Sequence, residues 1–173
     1  WIGTSDGLNC YDGCGNRVYR NALNNKYSLG NNFVSSLLEE GENIWVGTNS
    51  GLYIYDRSTD RFSYFNATTR YGVFVSSEVK KIIKTQSGLI WIATLGQGVF
   101  IYDQVTGVLT QNSIHTSFVW DICQGADSRI YVSSMQEGLF CFEEKGTFLQ
   151  NYPVLSDSNI GSQRINCLYS IKN

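Results

Sequence analysis

Carboxylates recur on a regular beat in this chain. Asp12, Asp56 and Asp103 close the short aromatic stretches "NCYD", "YIYD" and "FIYD", and Glu143 closes a fourth, "FCFE". Carboxylates brought together can do general acid–base work or hold a cation. The other chemistry-bearing side chains are sparse: one histidine, His115, and five cysteines. Cys10 and Cys14 are spaced C-x-x-x-C, which with a lone His makes a poor zinc set. Cys10 and Cys141 stand where other copies of the pattern carry Ile54 and Ile101, and Cys123 stands where they carry Leu38 and Ile83, so these three read as small buried hydrophobes. An odd number of cysteines at non-equivalent positions argues against a disulfide framework, and free thiols are expected. Nothing resembles a nucleophile elbow. A carboxylate that recurs together with its surroundings is better read as a turn device, because Asp bonds its own downstream backbone. The sequence therefore points to a non-enzymatic chain with no catalytic set, no metal site and no cofactor.

The elements that carry these residues repeat too. The opening "WIGTSDGL" returns as "WVGTNSGL" from Trp45, with one extra residue as "WIATLGQGV" from Trp91, and more weakly as "YVSSMQEGL" from Tyr131. The aromatic leaders are 44, 46 and 40 residues apart. Three copies are preceded by a Val-led stretch, at 34–44, 79–90 and 119–130, and a fourth such stretch, "INCLYSI", lies at 165–171. The segments are short, rich in β-branched and aromatic residues, and bounded by Gly, Asn and Ser. "TNSG" at 48–51 supplies residues that tolerate the positive φ of a tight hairpin. A period near 40–45 residues with four strands per unit is the signature of a propeller blade. The fold class expected is all-β: blades of four antiparallel strands, about four blades' worth, read as a fragment of a larger propeller.

As a single propeller fragment the chain divides into a partial blade over 1–33, blades over 34–78, 79–118 and 119–164, and the first strand of the next blade over 165–173. The Val-led strands are expected innermost, with residues 62–65 at the rim. The rings at Trp45 and Trp91 are expected to pack between blades rather than to form a sugar platform. Residues 165–171 are the first strand that the Trp1 unit lacks, so a closed ring requires them to pair with residues 1–4.

The run "LGNNFVSSLLEEGENIWVGTNSGLYIYD" at 29–56 resembles the two-component regulator propeller repeat, and weaker copies of its pattern cover nearly the whole chain. Departures are Ala93 in place of the pattern's Gly, the inserted residue in "TLGQG", and "YVSS" in the last copy. The resemblance implies the periplasmic sensor region of a Bacteroides-type hybrid two-component sensor histidine kinase/response regulator. It further implies a glycan or oligosaccharide ligand, the remaining blades and domains of a parent protein as partners, and a homodimer. The kinase belongs to other parts of that parent, anchored in the inner membrane. The alternative is a structural or assembly module whose neighbouring propeller binds the ligand.

A net charge of −2 gives no electrostatic case for nucleic acid or for direct contact with an anionic membrane surface. No apolar run approaches the roughly 20 residues of a membrane-spanning helix. Function on a repeated scaffold is carried where the repeats diverge, in the loops of one face. Candidate ligand-binding residues there are Arg70, Tyr71 and Phe74 in the unusual "TTRYGVFVSS" at 68–77, with Gln97, His115 and Glu137. Trp120 joins them because it stands in a channel-lining strand at the position of Ser35 and Lys80. An exposed ring beside a cation is the arrangement that stacks on a sugar.

Overall fold

In the computed structural model, residues 1–112, 118–153 and 165–170 are described. They form four antiparallel sheets in chain order and contain no helix. The first has three strands, β1 (Ile2–Thr4), β2 (Gly7–Tyr11) and β3 (Asn16–Tyr19). The second has β4 (Val34–Glu40), β5 (Asn43–Thr48), β6 (Gly51–Asp56) and β7 (Arg61–Tyr64). The third has β8 (Glu78–Lys84), β9 (Ile90–Leu95), β10 (Gly98–Asp103) and β11 (Val108–Asn112). The fourth has β12 (Val119–Gln124), β13 (Ile130–Ser134), β14 (Leu139–Phe142) and β15 (Phe148–Tyr152). Within each sheet the strands neighbour one another in sequence order, so every connection is a hairpin. Strands β4, β8 and β12 meet successively at the inner edge, and β7, β11 and β15 lie at the outer edge.

The core is divided among the sheet-to-sheet seams. Leu8 and Tyr19 meet Val46, Tyr55 and Phe62 in the first seam. Trp45, Leu52 and Phe65 meet Val79, Ile92 and Phe100 in the second. Trp91, Val99 and Ile101 meet Val119, Val132 and Phe142 in the third. One aromatic contact repeats across all three. The leading Trp of each copy packs on the last aromatic of the "YIYD"-type strand in the next sheet: Trp1 on Tyr55 at 5.2 Å, Trp45 on Tyr102 at 5.7 Å and Trp91 on Phe142 at 5.8 Å between ring centroids. Trp91 is fully buried and Trp45 nearly so, and the Trp91 indole N–H donates to the Glu144 carbonyl at 3.0 Å. These rings hold blades together.

The repeated motif has local causes. In W-x-G-T the Gly sits where the next sheet's Val arrives: a Cβ on Gly47 would lie 2.6 Å from Val79 Cγ1, and one on Gly3 would lie 2.7 Å from Val34 Cγ1. The Thr caps the hairpin, its hydroxyl donating to Gly7 O, Gly51 O and Gly98 O at 2.9, 2.9 and 2.7 Å in successive copies. Gly51 holds φ +100°, the left-handed backbone that its turn needs.

Every inner strand carries a β-bulge at one repeat position. The register slips between Val34 and Ser36, between Val79 and Lys81, and between Val119 and Asp121. Ser35, Lys80 and Trp120 are therefore the extra residues, lifted out of the ladder.

Residues 165–170 differ from the sequence reading. They lie beside β12, with the Leu168 N–H donating to Asp121 Oδ2 at 2.8 Å, but they form no strand. They also make no backbone bond to Ile2, whose strand β1 pairs with β2 alone. The bond to Asp121 joins them to the neighbouring sheet but supplies no ladder, so the ring is not closed through these residues.

Candidate functional site

The recurrent aspartates are occupied by their own turns. Asp12 Oδ1 accepts the N–H groups of Cys14 and Gly15 at 2.9 and 2.7 Å. Asp56 Oδ1 accepts Ser58 N–H at 2.8 Å and Asp103 Oδ1 accepts Val105 N–H at 2.9 Å, while Thr59 and Thr106 hydroxyls donate to the second oxygens at 2.8 Å. These bonds hold all three carboxyls below the ordinary carboxylate range, through the Gly15 N–H at Asp12, the Ser58 side chain at Asp56 and the Thr106 side chain at Asp103. Carboxylates kept ionised in this way are poor general acids. The five cysteines are free, and no cluster of three metal-ligating side chains occurs among the described residues.

The loop between β7 and β8 supplies a recognisable surface. Its tip is a tight turn: Gly72 N–H donates to Thr69 O at 2.8 Å, Thr69 N–H to Val73 O at 2.8 Å, and the Thr69 hydroxyl accepts Tyr71 and Val73 N–H at 3.3 and 3.2 Å. Gly72 reaches φ +78° to close it. The turn holds Tyr71 out to solvent at 77% exposure, with the Arg70 guanidinium 4.6 Å above its ring. Thr69, Arg70 and Tyr71 form one wall of a groove of about 390 Å³, and residues 108–111 of the outer strand β11 form the other. The groove thus combines an aromatic face, a cation, and the hydroxyl and amide groups of Thr110 and Gln111.

Beyond the tip the loop is tied down. Val75 is fully buried, and its carbonyl accepts the Tyr64 hydroxyl. Gln97, in the hairpin between β9 and β10, accepts the N–H groups of Ser76 and Ser77 at 2.8 Å each and donates its amide to Phe74 O at 3.0 Å. Gln111 then donates to the Gln97 carbonyl at 2.8 Å, linking this clasp to the groove wall.

At the inner edge the bulged residues meet. Lys80 Nζ lies 4.1 Å over the Trp120 ring and 2.8 Å from Glu78 Oε1. Phe33 and Phe118, the residues just before β4 and β12, are 42% and 51% exposed.

The candidate residues thus fall into groups. Arg70 and Tyr71 share the groove; Phe74 and Gln97 share the clasp, where both the oxygen and the nitrogen of the Gln97 side-chain amide are engaged; Trp120 stands at the inner edge under Lys80. Glu137 lies in the hairpin before β14 at the repeat position of Gln97, and its Oε2 is buried without a hydrogen-bond partner among the described residues. His115 lies outside the described residues. The sequence reading missed Thr69, Thr110 and Gln111, because the approach of the loop to β11 has no signal in either segment. It aligned Lys80 with Trp120 but did not foresee that the ammonium covers the ring, nor that Glu78 pairs with Lys80.

A succession of one three-stranded and three four-stranded antiparallel sheets with these seams defines a propeller-type protein. Residues 28–50, from the loop before β4 to the hairpin after β5, match the family model described as Two component regulator propeller. No curated protein sequence matches the chain. Among solved structures, the extracellular domain of the putative hybrid two component system BT3049 from B. thetaiotaomicron is similar with a TM-score of 0.71 and 23% identity, covering 86% of this chain and 21% of that one. The extracellular domain of the putative hybrid two component system BT4673 from the same organism gives 0.71 and 19%, covering 87% and 23%. The computationally designed Ika8 protein gives 0.58 and 13%, covering 87% and 46%. These likenesses are of fold, and the chain spans about a fifth of the length of the two natural domains it matches.

Proposed function

We propose that this chain is part of the ligand-sensing propeller region of a two-component regulator, facing the periplasm, and that it takes an oligosaccharide in the groove between Tyr71 and β11. The observation that carries this reading is the Tyr71 ring, held in solvent by a tight turn, capped by Arg70, and facing hydroxyl and amide groups across a groove of about 390 Å³. An aromatic face presents an apolar surface to the C–H groups of a sugar, while side-chain donors and acceptors read its hydroxyls. The family match and the sensor-system domains of similar fold support the signalling half of the proposal. Ligand binding is then the input, and phosphotransfer by a kinase outside this chain is the output.

A second reading has its own observation. The chain spans only about a fifth of the similar extracellular domains, so a neighbouring propeller has room to hold the ligand while these blades serve assembly. Isothermal titration against a panel of oligosaccharides separates the two. The sensing reading expects saturable binding of at least one sugar and at least a tenfold loss in Tyr71→Ala, with an unchanged melting temperature. A folded chain that binds no sugar in the panel, while a longer piece of the parent does, supports the assembly reading.

A further inference from the structure

The inner strands are tied together by one repeated bond, and one seam lacks it. Between β4 and β8, the Ser36 hydroxyl accepts the Ile82 N–H at 2.9 Å. Between β12 and residues 165–170, Asp121 Oδ2 accepts the Leu168 N–H at 2.8 Å. Ser36, Lys81 and Asp121 each follow the bulge of their strand, so the same position in the seam between β8 and β12 belongs to Lys81. An ammonium has three donors and no acceptor, so it cannot make this bond. The Ile122 N–H turns instead to Asp121 Oδ1 of its own strand, at 2.8 Å. Lys81 has no hydrogen-bond or ion-pair partner among the described residues, whereas Lys84 on the same strand pairs with Glu40 at 2.5 Å.

A cavity of about 400 Å³ lies at this seam. Its walls are apolar where Ile83, Ile122 and Leu168 face it, and polar at Lys81 and the Gln86 and Gln124 amide residues. The nearby carboxylates are spent: both Asp121 oxygens accept backbone N–H groups, Glu40 holds Lys84, and Glu144 accepts the Ser87 N–H at 2.9 Å. The site therefore offers one unpaired, solvent-exposed cation beside hydrocarbon walls, without the arginine fork that bidentate phosphate recognition favours. Its volume suits a small molecule.

We propose that this cavity binds a small carboxylic acid with an apolar body. The carboxylate accepts from Lys81 Nζ, and the body lies between Ile83 and Ile122. Held by Lys81 of β8 and packed on Ile122 of β12, the ligand bridges the seam that lacks the repeated bond. The site stands apart from the groove at Tyr71 and does not depend on the sugar reading.

The test is a titration of the whole chain with hexanoate at constant ionic strength, followed by NMR of the isoleucine methyl groups. Hexanol serves as the neutral control and inorganic phosphate as the anionic one. Saturable shifts at Ile83 and Ile122 are expected with hexanoate, at least tenfold weaker binding with hexanol or phosphate, and at least a tenfold loss in Lys81→Met. Lys81→Arg should retain binding, and Tyr71→Ala should leave it unchanged. If Lys81→Met fails to fold, the ratio of hexanoate to hexanol affinity in the parent chain and in Lys81→Arg decides. Absence of saturable shifts, equal affinity for acid and alcohol, tighter binding of phosphate, or full binding by Lys81→Met overturns the proposal.

Discussion

Replacing Trp91 by Ala isolates what holds the blades together. The indole is fully buried in the seam between the third and fourth sheets, stacks on Phe142 at 5.8 Å, and donates to Glu144 O at 3.0 Å. Truncating a fully buried Trp costs about 3–5 kcal/mol, because the seam cannot collapse to fill the cavity. For a chain of 173 residues that corresponds to a fall in Tm of roughly 6–20 °C. Trp91→Phe keeps the stacking but removes the N–H and leaves Glu144 O without its donor, which costs about 1–3 kcal/mol. Tyr131 stands at the same repeat position in the fourth sheet, only half-buried, with its hydroxyl on Asp127 at 2.9 Å. Tyr131→Ala should cost clearly less than Trp91→Ala. The assay is urea unfolding followed by far-ultraviolet circular dichroism, which does not rely on the tryptophan being removed. An unchanged midpoint in Trp91→Ala, or equal costs at 91 and 131, would refute the claim that coverage by the next blade sets the energy.

Three further outcomes follow from the same geometry. The Asp60 carboxyl is held below its ordinary range by the Arg17 guanidinium at 2.5 Å and by the Tyr55 hydroxyl at 2.9 Å. A carboxyl depressed in the folded state stabilises above its unfolded pKa of about 3.9 and loses that contribution as pH falls through the lower folded value. Asp60→Asn should therefore be less stable than the parent at pH 7, with the difference shrinking as pH falls below the unfolded value and through the folded one, and a constant difference across the acid limb of the melting curves would count against the assignment. Gly47→Ala should destabilise by about 1–3 kcal/mol, because the new Cβ would lie 2.6 Å from Val79 Cγ1 on the next sheet; chemical denaturation measures this directly. Gln97→Ala should raise amide hydrogen exchange at Ser76 and Ser77, whose N–H groups it accepts, while leaving Gly51 and Thr48 protected.

Much of the fold was legible because it is written four times. Alternation, turn chemistry and a common spacing all point to the same four-stranded unit, and Trp45, Trp91 and the recurrent aspartates took the structural roles that repetition implies. The bulges at Ser35, Lys80 and Trp120 were not legible. A one-residue slip sits inside a strand whose hydrophobic pattern tolerates it, and only strand pairing reveals it. The strand expected at residues 165–171 did not form over 165–170, because a strand needs a ladder partner and β1, the one the pattern offered, pairs with β2 alone. Gln97 was legible as a divergent loop residue, but its amide is spent on Phe74, Ser76 and Ser77, some twenty residues away in the chain. Tyr71 stood out as an aromatic where a polar loop was due, yet the wall facing it comes from β11, and no local signal joins the two.

The central claim is that the surface between Tyr71 and β11 receives an oligosaccharide. Backbone amide NMR of the chain, titrated with the oligosaccharide that binds best in calorimetry, tests it most directly. The account predicts saturable shifts concentrated at residues 69–73 and 108–112, abolished in Tyr71→Ala. Saturable shifts confined to other surfaces, with the Tyr71 and Thr110 amides unmoved, would contradict it.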